Sequence, residues 1–290
     1  MDIPVPNSNH AISPGALASL LGRSHTPLIL DVRRDASFAG SERMLPLAQR
    51  VPPTDIDLWS KDRSPQSVIV YCVYGHEVSQ SVASRLRQAG WDARYLLGGI
   101  EGGEPGVDGP DLLQALSVEP VPVVRKRLDL GVGGAGPSRW ITRARPKIDR
   151  VACPWLIRRF VDRKAVFHYV PTEEVMHRAQ ALQAAPFDVP GAPISHVGDL
   201  CSFDALLRAF ELKFPALDLM AHIVRGADTD RLDLAAPAAG LLAVSLGMSH
   251  QYPDDDHGML DAMMPVYDAL YTSCVEQVGG RPEKHSWGPL

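Results

Sequence analysis

The 290 residues predict an α/β domain, a parallel sheet covered by helices, followed by a mainly α-helical domain with a small β element. Three observations carry this expectation. Short β-branched apolar runs alternate with helical patterns through the first hundred residues. Glycine and proline crowd the stretch from 106 to 137, and helical periodicity dominates from 138 onward. The expected organisation is therefore a domain over 1–105, a Gly/Pro-rich linker over 106–137 and a second domain over 138–290. The length, about twice that of an ordinary domain, agrees.

Ser13-Pro14 ahead of Leu17, Leu20 and Leu21 predicts a capped first helix. Leu28 to Val32, Ser67 to Cys72 and Ala93 to Leu97 predict buried parallel strands. Between the last two, Val78, Val82, Ala83, Leu86 and Ala89 recur at helical spacing, and Gly90 ends the helix. The linker holds one short helix candidate, Asp111 to Leu116, and a strand candidate, Val121 to Val124. Beyond it, helices are expected over Pro154 to Val161, Glu173 to Ala185, Phe203 to Leu212, Ala216 to Arg225, Ala238 to Met248 and Met259 to Val278. Arg139 to Thr142 and Ala165 to Val170 are extended pieces expected to pair. Asp254-Asp255-Asp256-His257 reads as negative charge loaded onto a helix N-terminus.

A hydrophobic fraction of 45%, a net charge of -5 and a pI near 6.0 describe an ordinary globular chain. They argue against nucleic acid as a partner and against a membrane one. The opening MDIPVPNSNH lacks the basic and apolar regions of a secretory leader, so a cytoplasmic protein is expected. The four cysteines, Cys72, Cys153, Cys201 and Cys274, form no CxxC pair and point to no disulfide framework.

Cys72 ends a strand, and Val73-Tyr74-Gly75-His76-Glu77-Val78 lead straight into a helix. A cysteine at such a corner sits where loop N–H groups and a helix N-terminus favour a sulfur anion. Asp31-Val32-Arg33, then Tyr71 through Glu77, then Leu97-Gly98-Gly99-Ile100 resemble the single-domain rhodanese pattern over roughly residues 10 to 105. The resemblance implies a sulfurtransferase in which Cys72 is the catalytic nucleophile and carries a persulfide. Residues 73 to 78 would form its anion-binding loop, and Asp31 and Arg33 read as structural ties. Two departures matter. Active rhodaneses often place arginine late in this loop, where Glu77 stands, and Val78 replaces a small hydroxyl residue. An inward Glu77 about 6 Å from the sulfur would oppose the anion by roughly 3 kcal/mol, more than a helix end offers. Glu77 is therefore expected to face outward and His76 to supply the positive charge. Weak use of thiosulfate follows.

The second half contains a basic run with Arg143, Arg145, Lys147, Arg150, Arg158, Arg159 and Arg163, against only Asp149 and Asp162. Such a face points to an anion, unless the arginines pair with later acidic residues. Cys153 before Pro154 fits a helix N-cap. This run, with Pro186-Phe187-Asp188, Ser195 to Phe203 and Ile223 to Asp228, resembles the C-terminal domain of bacterial chromate-resistance proteins of type B. The resemblance spans about 138 to 278 and implies chromate or sulfur-oxyanion stress. Candidate ligand residues there are Arg143, Arg145, Lys147, Arg150, Cys153, His196 and Cys201. His222 and Asp228 are further candidates if the fold gathers a metal site, although His196-x4-Cys201 is no standard ligand spacing.

The expected function is therefore sulfur transfer between a small sulfane donor and a thiophilic acceptor, without an obligatory cofactor. The alternative is a non-catalytic rhodanese module in a chromate-sensing or accessory protein, taking chromate or a sulfur oxyanion as ligand.

Overall fold

The computed structural model describes residues 10–281, and within them the chain forms two units. The first comprises the chain up to Pro137 together with Arg159–Lys164, the second Ser138–Arg158 together with the chain from Ala165.

In the first unit the order is β1 (Ala11–Ile12), α1 (Pro14–Leu20), β2 (Leu28–Asp31), α2 (Asp35–Ala39), β3 (Arg43–Met44) and β4 (Ala48–Arg50). There follow α3 (Ile56–Lys61), β5 (Ser67–Tyr71), α4 (Glu77–Gln88), β6 (Asp92–Leu96), α5 (Pro110–Val118) and β7 (Val124–Arg125). Five strands make a parallel sheet in the order β1-β6-β5-β2-β4. Its central strand, β5, is wholly buried from Val68 to Tyr71, as its continuous apolar run requires. The register sets Asp31 opposite Tyr71, so the residues after both strands emerge side by side at the carboxyl edge. That edge is where open α/β sheets place ligands.

Local chemistry fixes the boundaries. Ser13 caps α1 by accepting from the Ala16 N–H at 3.2 Å. Val82, Ala83 and Leu86 bury one face of α4 against the sheet, and Gly90 at φ +86° ends it as expected. The stretch 106–137 is not a free linker. It belongs to the first unit: β7 pairs antiparallel with β3, Glu119 accepts from the Gly15 N–H, and the Gly134 carbonyl accepts from Arg50 N. Glycine and proline there shape turns that cover the unit, a role their composition does not distinguish from spacing.

The second unit contains β8 (Arg139–Arg143), α6 (Asp149–Leu156), β9 (Val166–Val170), α7 (Val175–Leu182), β10 (Ala185–Pro186), α8 (Ser202–Ala209), α9 (Pro215–Asp228), α10 (Ala238–Gln251) and α11 (Asp256–Val278). The expected pairing of β8 with β9 is present, and β10 completes a parallel sheet in the order β10-β8-β9. Trp140 on the central strand packs edge-on to Phe187 and tilted to Phe210, both ring centroids at 6.3 Å. Helix α9 packs against both α10 and α11. Asp255 caps α11 by accepting from the Gly258 N–H at 2.8 Å, so the acidic run does load a helix start.

Pro154 does not open a helix. Helix α6 begins at Asp149, which leaves Cys153 in its interior, fully buried. The signal misled because Ile148, held at φ +44°, turns the chain into the helix early. Its N–H is taken by Ser245 Oγ at 3.1 Å and its carbonyl by the Tyr267 hydroxyl at 2.7 Å. A β-branched residue in that region is strained, and these two bonds hold it there.

Candidate functional site

The strand-to-helix corner after β5 presents Cys72 with 6% of its surface exposed, packed beside Leu30, Val70, Val82 and Ala83. Its Sγ lies 3.1 Å from Ser79 Oγ, which also lies 3.3 Å from the His76 carbonyl. Among the described residues no protein group accepts from the backbone N–H groups from Val73 to Ser79. They lie at and just before the N-terminus of a twelve-residue helix, where first-turn N–H groups have no acceptor within the helix.

The loop is held from behind. Cys72 and Val73 carbonyls accept from Ile100 and Glu101 N–H groups at 3.1 and 3.0 Å, and Gln80 Nε2 donates to the Gly75 carbonyl at 2.9 Å. Gly75 and Gly99, at φ +78° and +59°, meet so closely that a Cβ on Gly99 would stand 2.4 Å from the Val73 carbonyl oxygen. A cleft of about 590 Å³ opens on the side of Val73 and Tyr74, bordered by Arg33, Ser41, Glu101 and Gly103.

Glu77 opens α4 and faces solvent, as expected. Val78 is half-buried against the core. His76 does not act as a free cation. Its Nε2 lies 3.1 Å from both Asp108 carboxylate oxygens and its Nδ1 3.4 Å from Glu104, so acidic groups surround the loop. Asp31 and Arg33 are the structural pair expected, both 1% exposed, and the Tyr71 hydroxyl donates to Asp31 Oδ2 at 2.7 Å. Ser79 lies one residue beyond the loop expected from the sequence, which ends at Val78.

In the second unit the basic run does not gather into one cationic face. Arg143 and Arg150 both reach Asp188 Oδ2 at 3.2 Å, and Arg158 pairs with Asp261. Arg145 is exposed, Lys147 half-buried, and Arg163 belongs to the first unit, where it donates to the Thr26 and Pro27 carbonyls. What the fold assembles is richer in carboxylates. His196 Nε2 lies 3.3 Å from Asp149 Oδ2, from Asp188 Oδ1 and from Asp228 Oδ2. Ser202 supports the group, its N–H donating to Asp149 and its hydroxyl to Asp188.

Burial and the neighbouring Asp149 raise Asp188, and the same causes push Asp228 up to about 7. The hydrogen bond to Asp149 raises the His196 imidazole to about 9. Burial, reinforced by Asp149, pushes the Cys153 and Cys201 thiols well up and keeps them neutral. Cys201 is the N-cap of α8, where Asp204 accepts from its N–H. His222 is exposed, its Nδ1 bonded to the Asp218 carbonyl. Of the expected ligand candidates His196 and Asp228 meet directly, Arg143 and Arg150 border them through Asp188, and Asp149 and Asp188 are the members that spacing did not reveal. Their signal was faint: Asp149 is one of two acids within a basic run, and Asp188 follows Pro186-Phe187 in a turn.

The fold and the Cys72 corner define the first unit as a rhodanese-type domain. Residues 13–104 match the rhodanese-like domain model and residues 140–274 the ChrB C-terminal domain model. Protein ChrB of Cupriavidus metallidurans is 38% identical over 155 residues, covering 49% of this chain. The match spans 45% of that protein, under half its length. Among solved structures, a rhodanese homolog from Thermus thermophilus is 27% identical, covering 32% of this chain and 98% of its own, with a TM-score of 0.27. A rhodanese-like domain protein from Staphylococcus aureus is 25% identical, covering 33% and 94%, with a TM-score of 0.29. Among the described residues no helix is long and apolar enough to cross a membrane.

Proposed function

We propose that this chain transfers sulfane sulfur through a persulfide on Cys72, in the setting of chromate or sulfur-oxyanion stress. The observation that carries the reading is the Cys72 sulfur 3.1 Å from the Ser79 hydroxyl, at the corner where β5 leads into the N-terminus of α4. A hydroxyl donor and a helix N-terminus favour a sulfur anion there. In the first step the Cys72 thiolate attacks the outer sulfur of a donor R–S–SH. The S–S bond breaks, R–S⁻ leaves, and Cys72 carries –S–SH. An acceptor thiolate then attacks that outer sulfur, takes it as a new persulfide and returns Cys72 to thiolate.

Glu77, Glu104 and Asp108 around the loop select against a dianionic donor, so an uncharged or protein-bound persulfide is preferred to thiosulfate. The stress setting rests on the resemblance of the second domain to chromate-resistance proteins.

The test is the intact mass of the full chain after incubation with a persulfide donor. Wild type gains one sulfur atom and Cys72→Ser gains none. Absence of the adduct with every donor overturns the reading. It would favour the second one, a binding module without turnover, which draws its support from the 6% exposure of Cys72.

A further inference from the structure

We propose that Asp149, His196 and Asp228 bind one divalent first-row transition cation in the second unit, with Asp188 bordering the site. The inference stands apart from sulfur transfer and uses none of its residues.

The donor atoms of Asp149, His196 and Asp228 all lie within 4.8 Å of one another. Neighbouring donors around an ion bonded at about 2.1 Å stand about 3 Å apart, close to the 3.3 Å separating His196 Nε2 from each carboxylate. An ordinary ion pair explains the arrangement less well. Three carboxylate oxygens ring the His196 Nε2 at the same 3.3 Å, more negative charge than one imidazolium balances.

Charge separates the members. Asp188 has Arg143 and Arg150 within 3.2 Å, whereas Asp149 and Asp228 have His196 alone as a cationic contact among the ion pairs described. Two carboxylates balance a doubly charged ion, and His196 releases its proton when it binds one. Asp149 is 2% exposed and is held by the Ser202 N–H, and an outer bond of this kind orients a ligand. His196 remains 40% exposed on its side chain, which leaves an approach for the ion and for water as further ligand. The imidazole suits iron or zinc, and the two carboxylates accept manganese as well. Cys153 and Cys201 are not ligands: both are fully buried, and Cys201 turns its sulfur to Asp204.

Mn²⁺ is the probe, because it avoids thiols and its free ion gives a six-line EPR signal. Titration of the metal-stripped full chain is expected to remove that signal for one ion per chain. His196→Gln and Asp228→Asn, made at partly exposed positions, are expected to weaken binding roughly tenfold or more, while Cys201→Ser leaves it unchanged. Circular dichroism of the metal-free variants checks that they fold. Folded variants that bind Mn²⁺ as wild type does, or a wild type that binds less than one ion, would overturn the assignment.

Discussion

Ser79 Oγ lies 3.1 Å from Cys72 Sγ, in the first turn of α4 and fully shielded from solvent. A hydrogen bond to a charged acceptor contributes about 1.5–3 kcal/mol. Ser79→Ala is accordingly expected to slow persulfide formation by roughly tenfold or more, with a stability change below about 1 kcal/mol. Timed intact-mass measurements check it, and equal rates in the two proteins would remove Ser79 from the chemistry.

The acidic surround predicts a donor preference. Glu77→Arg and Glu104→Gln each remove negative charge from the edge of the loop, and the second also frees one side of His76. Each is expected to raise thiosulfate turnover by roughly threefold to tenfold at low ionic strength, a gain that fades as salt screens exposed charge. Turnover with an uncharged persulfide should move little. Equal gains with both donors would point to a change in loop geometry instead of charge.

A buried charge network predicts an order of stabilities. Arg33 donates to both Asp31 carboxylate oxygens, and Tyr71 OH adds a further donor while accepting from Leu45 N. Arg33→Met strands a buried carboxylate and is expected to cost about 3–5 kcal/mol. Tyr71→Phe leaves the ion pair whole and is expected to cost about 1–3 kcal/mol. Urea denaturation gives both numbers, and the reverse order would show that the hydroxyl, not the guanidinium, holds the strand ends.

Lys126 predicts a pH dependence. Its ammonium sits 3.7 Å from the Phe38 ring centroid, the ring that Arg33 and Arg50 also approach. Burial, and then the Arg33 charge, lower it from 10.5 to about 8. A base whose folded pKa lies below its unfolded value costs stability while charged, so the cost is full below about 8. It disappears as pH climbs from there toward 10.5, because the unfolded chain then binds the extra proton. Wild type should gain on Lys126→Met across that window in denaturation at stepped pH. A constant gap between the two would show that Lys126 titrates alike in both states.

The sites differed in how far the sequence disclosed them, and chain distance explains the difference. Cys72 and its loop are consecutive residues between a strand and a helix, so pattern alone located them and set Glu77 outward. His76 read as a free cation because Glu104 and Asp108, which claim it, come from a later turn. Asp149, Asp188, His196 and Asp228 are brought together from across eighty residues by α6, β10 and α9, which no local period reports. Cys153 and the linker were misread for a related reason: proline and glycine signal a local turn, and long-range packing decided what each turn was for.

Gly75 and Gly99 make the last prediction, since the anion loop depends on their close approach. A methyl on Gly75 would meet Gly99 N and the Leu96 carbonyl at 2.7 Å, and one on Gly99 would meet the Val73 carbonyl at 2.4 Å. Both neighbours are backbone and neither can swing away. Both glycines also have positive φ, where alanine is strained by about 1 kcal/mol before any clash. Gly99→Ala is therefore expected to lose about 3 kcal/mol or more and to push Val73 out of place, so that persulfide formation falls together with stability. Gly102, at φ +77° with nothing within 4 Å, is the control, because its alanine variant bears the strain without the clash. If Gly99→Ala and Gly102→Ala lost the same stability in urea and formed persulfide equally well, the contact behind the loop would have no part in shaping the corner that holds Cys72.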